Sequence, residues 1–455
     1  MRFEVSLEPI SHTRSSSETL NFKPLLSGEK NRVKISKAIS GLAFLMVDLV
    51  TTLDHTMNKS THFSGQPTFT QLVKLLPKDL VMDCIHKSDS DRYYKKFNTW
   101  HHLITMLFTC YGHCSSLREV ITGMRALEGR LKGCDIKFFP TRSTFSDANA
   151  KRDCTVFEDI YHSLRTYWER VYPDSRSRRS SFYLIDSTTI KLFQAIFKGA
   201  GMMKDNGKRK GGLKVHMAVQ DHRPFPSIVY LSDAADNDKV FNEHLVIPTG
   251  STVIMDGGYR NYDQFNVWTI ENIRWVTKIH PLTTYQVSKS NSVSKRETKA
   301  GVCLDQEIVM GADYPKISKV PCRLIHFTCP ITSKSFQFIT NDFKSTAAYI
   351  GRMYKKRWKI ELLFKRLKQN MPLQYFLGDN QNAIQIQVWC ALIADLLLNI
   401  VRQQVKRKWA FSNIVSVVRL HLFNYMNLFS FLENPDKCVI AAPTEDIQLK
   451  LALSG

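Results

Sequence analysis

Apolar residues recur at helical spacing at both ends of this chain and at strand spacing between them. Phe69, Leu72, Val73, Leu75 and Leu76 mark one face of an amphipathic helix, and 100–111 is an apolar helical run. The segment 115–127 opens with the capping pair Ser116 and Glu119. Pro140 and Thr141 start a further helix that carries Arg142, Ser143, Thr144, Asn149, Lys151 and Arg152. From Phe182 the period becomes that of strands. Strands are predicted at 182–192, 213–220, 227–231, 252–255 and 275–279, with a helix at 261–271 before the last. A Ser/Thr/Lys-rich stretch then turns β-rich over 302–327, and 337–340 is a final short strand.

The pattern returns to helix at 345–370. Ser345 is a good N-cap, no Gly or Pro follows Gly351, and Pro372 limits continuation. Two apolar helices follow, at 383–408 and 411–431. Within 345–370, Tyr354, Arg357, Glu361 and Lys368 fall in an arc of roughly 60° at about 100° per residue, so one stripe carries all four. Glu361 stands alone among eight Lys and Arg between Arg352 and Lys368. Taken alone, such a helix reads as a basic solvated one with a Glu361–Lys365 pair.

These periodicities divide the chain into five parts. An extension at 1–64 is polar enough to be disordered, and its first 56 residues are read either as an extension or as sequence ahead of a start at Met57. A helical domain follows at 65–178. An α/β domain is built from 179–280 and 336–405, with a β insertion at 281–335. A helical region at 406–455 ends the chain. Three early strands in meander order, then alternating helix and strand, fit a ribonuclease-H-like α/β domain. In that layout the first strand is central and the fourth lies beside it.

Composition narrows the function. Of 455 residues, 43% are hydrophobic, which excludes wholesale disorder. A formal charge of +22 and a pI of about 9.5 point to a polyanionic partner, nucleic acid before an anionic membrane. The ten cysteines lack metal spacing. Cys110, His113 and Cys114 have no second ligand pair, and core thiols in a reducing cytosol are the better reading. The apolar run 383–401 contains Gln385, Gln387, Asp395 and Asn399, so it reads as a buried helix rather than a membrane span. The Gly-rich, basic segment 199–214 lacks the spacing of a nucleotide-binding loop and is expected to be a hairpin loop touching phosphates. A basic linker holds Arg178 and Arg179 in SRSRRSS, suited to a phosphate backbone. His101 and His102 read as core or surface residues, and His216 as a core histidine or a functional strand position.

Y-x2-R-x3-E-x6-K, from Tyr354 to Lys368, resembles the signature of the DDE transposases of one large group of bacterial insertion sequences, the Y-R-E-K (IS-four) family. The resemblance runs from about 69 to about 402. It implies two more acids upstream on strand ends. FYLIDSTTI supplies Asp186 and STVIMDGGY supplies Asp256, with separations of 70 and 105 residues to the next acid. By the resemblance the three carboxylates hold two Mg²⁺ ions, with Mn²⁺ as a substitute: Asp186 bridges both, Asp256 holds one and Glu361 the other. Two hard cations about 4 Å apart neutralise a scissile phosphate, activate the attacking oxygen and stabilise the leaving one. Tyr354, Arg357 and Lys368, with Lys365, would serve the DNA strand. The helical domain before Asp186 would read the element's ends through Arg142 and Asn149, while Arg178 and Arg179 grip phosphates. Related enzymes that form a DNA hairpin stack a flipped base on a Trp of the β insertion. Here 281–335 has no Trp, and Tyr285, Tyr314 and Phe327 are the aromatic alternatives.

The function implied is cut-and-paste transposition. The enzyme would cleave double-stranded DNA at terminal inverted repeats and join it to target DNA, as a homodimer on paired ends in the bacterial cytoplasm at the nucleoid, with no membrane partner. A catalytically inactive repressor copy and a host nuclease of the same fold without strand transfer are the alternatives.

Overall fold

The computed structural model describes residues 65–173, 182–191, 202–205, 208–311 and 318–437, and side chains for these except 191 and 202–211. Among the described residues six α-helices precede the first strand: α1 (Thr68–Val73), α2 (Lys78–Lys87), α3 (Thr99–Gly112), α4 (Leu117–Ala126), α5 (Arg142–Lys151) and α6 (Thr155–Val171). Ser116 caps α4 through the Glu119 amide, and Thr141 caps α5 through that of Thr144, as the local sequence predicts.

The strands that follow are β1 (Phe182–Lys191), β2 (Met202–Asp205), β3 (Lys208–Gln220), β4 (Ile228–Asp233) and β5 (Thr252–Met255). Then come α7 (Tyr262–Ile270), β6 (Arg274–Lys278), β7 (Tyr285–Ser290), α8 (Lys295–Lys299), β8 (Val302–Met310), β9 (Val320–Thr328) and β10 (Ser335–Thr340). Among the described residues they form one sheet in the order β2-β3-β1-β5-β6-β10-β9-β8-β7, with β4 on β3. β1 is antiparallel to β3 and parallel to β5, and β5 is parallel to β6. The strands of 281–335 prolong this sheet, because β10 pairs antiparallel with both β6 and β9. The segment 199–214, expected as a loop, carries β2 and the start of β3, paired from Met202↔Gly211 to Asp205↔Lys208.

Helices α9 (Ala347–Lys355), α10 (Trp358–Asn370), α11 (Gln381–Gln404), α12 (Phe411–Leu420) and α13 (Leu428–Glu433) complete the described chain. The expected single helix 345–370 is therefore two, and its cap is Thr346, not Ser345. At the break the bonds shorten to i→i−3: Lys356 to Met353, Arg357 to Tyr354, Lys359 to Lys356 and Ile360 to Arg357. The predicted 411–431 helix also divides, into α12 and α13.

Alternation along β1 assigns its two faces. Tyr183 and Ile185 enter one core with Val253, Met255, Trp268 and Trp275, under α7. Leu184 and Ile190 enter the other with Ile360, Leu367 and the α11 residues. That second core is continuous with the N-terminal helices. Tyr111 bonds the carbonyl of Ala394, and Asn382 bonds that of Arg152. α11 is the one described helix long and apolar enough to cross a bilayer, and its apolar window is 94% buried inside the fold.

Candidate active site

β1 and β5 run parallel in register from Phe182↔Thr252 to Ile185↔Met255. The next residue along each chain segment is an aspartate, Asp186 still on β1 and Asp256 just after β5, so the register brings the two predicted acids side by side. Asp186 lies on the β1 face of Leu184 and Ile190, which α10 covers. Glu361 is in the first turn of α10. All three predicted acids thus meet where the β1–β5 pairing stops, with Asp186 in the middle of β1 and not at the strand end the sequence suggested.

The guanidinium of Arg357 lies among them. Its Nη1 is 2.5 Å from Asp186 Oδ2, and its Nη2 pairs with Glu361 Oε1. Tyr354 Oη donates to Asp256 Oδ1 at 3.4 Å. The i→i−3 tightening at the helix break explains this reach. In such a turn residues three apart eclipse, so Tyr354 and Arg357 line up over the strand ends. Gly351 lets α9 come close enough: a Cβ there would lie 2.9 Å from the Phe327 ring. Phe327 is therefore packed under α9. Tyr285 is exposed on β7, and Tyr314 lies outside the described residues.

Two anchors hold α10. Lys356 Nζ is 2.7 Å from Asp221 Oδ2 and sits 4.0 Å over the Phe182 ring, and Lys359 also pairs with Asp221. Deeper, Arg366 makes a two-pronged bond to Asp395 of α11, at 2.9 and 2.6 Å. Asp221, Arg366 and Asp395 carry no motif, and sequence reasoning did not single them out for this role.

Burial pushes the Asp186 carboxyl up to about 6; Arg357 opposes the shift, while Asp256 and Glu361 add to it. For Arg357, burial would lower its pKa, but Tyr354, Asp186, Glu361 and Asp256 together hold it above its ordinary value. Burial likewise raises the Tyr354 phenol, so Tyr354 stays a donor.

Beside the acids runs an open groove of about 430 Å³, lined by Asp186, Thr188, Glu361, Phe364, Lys365 and Lys368. Lys365 is exposed along it, and Lys368 Nζ reaches the carbonyl of Thr189 at 2.9 Å. Arg142 is exposed on the first turn of α5. Asn149 does not share that surface. It is 1% exposed and its Oδ1 lies 2.7 Å from His102 Nε2, in a buried set with Arg152, so its amide faces the helical core and not a DNA groove. Arg178 and Arg179 lie outside the described residues. His101 and His102 are both buried and hydrogen-bonded. His216 is fully buried between Tyr259 Oη and Ser232 Oγ, each at 3.0 Å.

Residues 177–397 match the transposase DDE domain, a span that contains all three acids and the Tyr354–Lys368 stripe. The chain is 31% identical over 262 residues to y4zB of Sinorhizobium fredii, named as a transposase, covering 57% of this chain and 71% of that one. It is 26% identical over 272 residues to a protein of Synechocystis named as the transposase for insertion sequence element IS4SA, with 57% and 71% covered. The chain belongs to the DDE transposases of insertion sequences. Residues 64–137 of this transposase match a domain of unknown function, DUF4372. A piggyBac transposase synaptic complex with hairpin DNA aligns over 85% of this chain and 81% of that one, at 11% identity and a TM-score of 0.37, too loose a likeness to carry an argument.

DDE transposase domains generally use divalent metal ions. The donors here suit a hard cation: three carboxylates, one of them kept hard to ionise by burial and by its two neighbours. Among the described residues no group of three His, Cys, Asp or Glu is drawn tightly enough to hold an ion. Arg357 supplies the positive charge between Asp186 and Glu361 instead.

Proposed function

We propose that this transposase excises its element by a cut-and-paste route, cleaving double-stranded DNA at terminal inverted repeats and joining the freed ends to target DNA. The observation that carries the reading is the convergence of Asp186, Asp256 and Glu361 at one end of the parallel β1–β5 pair, beside a groove bearing Lys365 and Lys368. Asp186, Asp256 and Glu361 would hold two Mg²⁺ ions, with Mn²⁺ as a substitute. Bound there, such ions would neutralise the scissile phosphate, activate the attacking oxygen and stabilise the leaving one.

The chain's own residues divide the remaining work. Arg357 is a two-pronged donor that can pass from its carboxylates to a phosphate, whose geometry it matches equally well. Lys365 and Lys368 act as point charges along the groove. Tyr354 holds Asp256 through its hydroxyl and is 7% exposed, so its DNA contact would be by its edge. The strand order β4-β3-β1-β5-β6, with β1 antiparallel to β3 and parallel to β5, supports a ribonuclease-H-like catalytic domain. The helices before β1 would bind the element's ends, with exposed Arg142 as a base reader and Arg178 and Arg179 on phosphates. Two subunits would act on the paired ends, in bacterial cytoplasm where the nucleoid lies.

Glu361→Gln tests the assignment, since it keeps the shape of the side chain and removes its charge. Cleavage of terminal-repeat DNA in Mg²⁺ should be abolished and binding of that DNA retained; wild-type cleavage by the variant would sink the three-carboxylate reading. Strand transfer of a pre-cut end separates a transposase from a nuclease of the same fold.

A further inference from the structure

We propose that Asp238 is a positioning residue that sets the spacing between Asp186 and Asp256. The proposal rests on the reading of those two acids as metal ligands.

The backbone pairing of β1 with β5 ends at Ile185↔Met255. Asp186 lies beyond that last pair but stays on β1, opposite Met217 of β3, while Asp256 leaves the sheet, so no β1–β5 pairing sets the distance between the two carboxylates. Asp238 begins a 3-10 turn, Asp238–His244, on the opposite side of these strand ends from α10. Its Oδ1 accepts a hydrogen bond from Ser187 Oγ at 2.9 Å, and Ser187 directly follows Asp186. Its Oδ2 lies against Gly258, two residues after Asp256; a Cβ at Gly258 would be 2.7 Å from that oxygen. One carboxylate therefore touches the chain just beyond each aspartate. Gly258 is the residue that lets it come so near.

The turn is itself fixed. Lys214 Nζ stands 3.4 Å from Asp238 Oδ1 and also donates to the Asp236 carbonyl at 2.6 Å. Asn237 caps the turn through the Lys239 amide, and Asn242 Nδ2 donates to the Tyr259 carbonyl at 3.0 Å. The turn thus grips the Gly257–Tyr259 segment at two points. His216 Nδ1 lies 3.7 Å from Asp238 Oδ1 and bonds Tyr259 Oη. A solvated turn acid would make none of these contacts with two separate chain segments. Groups that orient metal ligands without touching the metal typically govern affinity by about 10–100-fold.

The test is Mn²⁺ binding to the full-length protein without DNA, followed by electron paramagnetic resonance, for wild type, Asp238→Ala, Asp238→Asn and Glu361→Gln. Thermal melting of each checks the fold. Asp238→Ala should weaken Mn²⁺ binding by about 10–100-fold. Asp238→Asn keeps the side chain's shape and an acceptor oxygen for Ser187 and should restore most of that loss, while wild-type melting of Asp238→Ala would exclude a general loss of packing. Should Asp238→Ala fail to fold, Ser187→Ala removes the donor alone and should weaken binding in the same direction. Wild-type affinity in folded Asp238→Ala, or in Ser187→Ala in its place, with affinity lost in Glu361→Gln, would overturn the role of Asp238. Wild-type affinity in Glu361→Gln would overturn the ligand assignment beneath it, and the proposal with it.

Discussion

Arg357 Nη1 lies 2.5 Å from Asp186 Oδ2 while Nη2 of the same guanidinium pairs with Glu361. One internal cation thus offsets two of the three acids, and any metal ion must contend with it. Arg357→Ala should therefore bind Mn²⁺ roughly tenfold more tightly without DNA, because the carboxylates lose their compensating charge. The same variant should cleave DNA about 10²-fold more slowly or worse, because in its proposed role the charge would also serve the DNA strand. A metal titration and a cleavage time course read the two effects separately. Weaker metal binding in Arg357→Ala would show that the guanidinium organises the acids instead of competing for them.

Asp395 is 1% exposed within α11, and Arg366 and Asn399 satisfy its oxygens. Asp395→Ala would strand the Arg366 charge and should cost about 3–5 kcal/mol. Replacing both, as Asp395→Leu with Arg366→Met, should cost clearly less than either single change. Thermal or urea unfolding of the three variants checks this, and additive losses would mean the pair is not coupled.

His216 supplies a pH dependence. Burial pushes it down to about 4 from its ordinary 6.5. Above pH 6.5 it is neutral folded or unfolded. As pH falls below 6.5 only the unfolded chain takes up the proton, so stability is lost until about pH 4 and then levels off. Between pH 7 and pH 5 the loss from this one group should be about 2 kcal/mol. His216→Gln should be less stable at pH 7 but should lose that much less on acidification. Urea unfolding at both pH values measures it; parallel losses would mean that His216 is protonated in the fold.

Arg142 and Asn149 share α5 and should behave oppositely. Arg142→Ala should melt like wild type and lose about 1–3 kcal/mol of discrimination between terminal-repeat and random DNA. Asn149→Ala leaves His102 Nε2 without its partner in the core, though Nδ1 keeps Arg152, and should destabilise by about 1–3 kcal/mol, with the discrimination of the folded protein unchanged. Melting curves and paired binding titrations separate the two. An unchanged ratio in Arg142→Ala would move end recognition away from α5.

The sequence by itself determined the succession of the strands β1, β3, β4, β5 and β6 and which acids to test. Strand period at β1, β3, β4 and β5, and the Tyr354–Lys368 spacing, are local properties of a chain whose burial alternates face by face. The four polar residues in 383–401 marked α11 as interior, and Asp395 is indeed buried. Tertiary structure decided the partners. Arg357 and Asp186 are 171 residues apart, Arg366 and Asp395 are 29, and Ser187 and Asp238 are 51. No periodicity links such positions, because a side chain's charge partner depends on which strands pair and in what register. The break at Lys356 and Arg357 was hidden for the same reason: both residues keep helical torsions, and what accompanies the tightened turn is long-range, the docking of Lys356 and Lys359 on Asp221 and of Arg357 on Asp186. Asn149 looked like a DNA reader from composition, but the face of α5 it occupies is the one that meets α3, and that packing put its amide on His102.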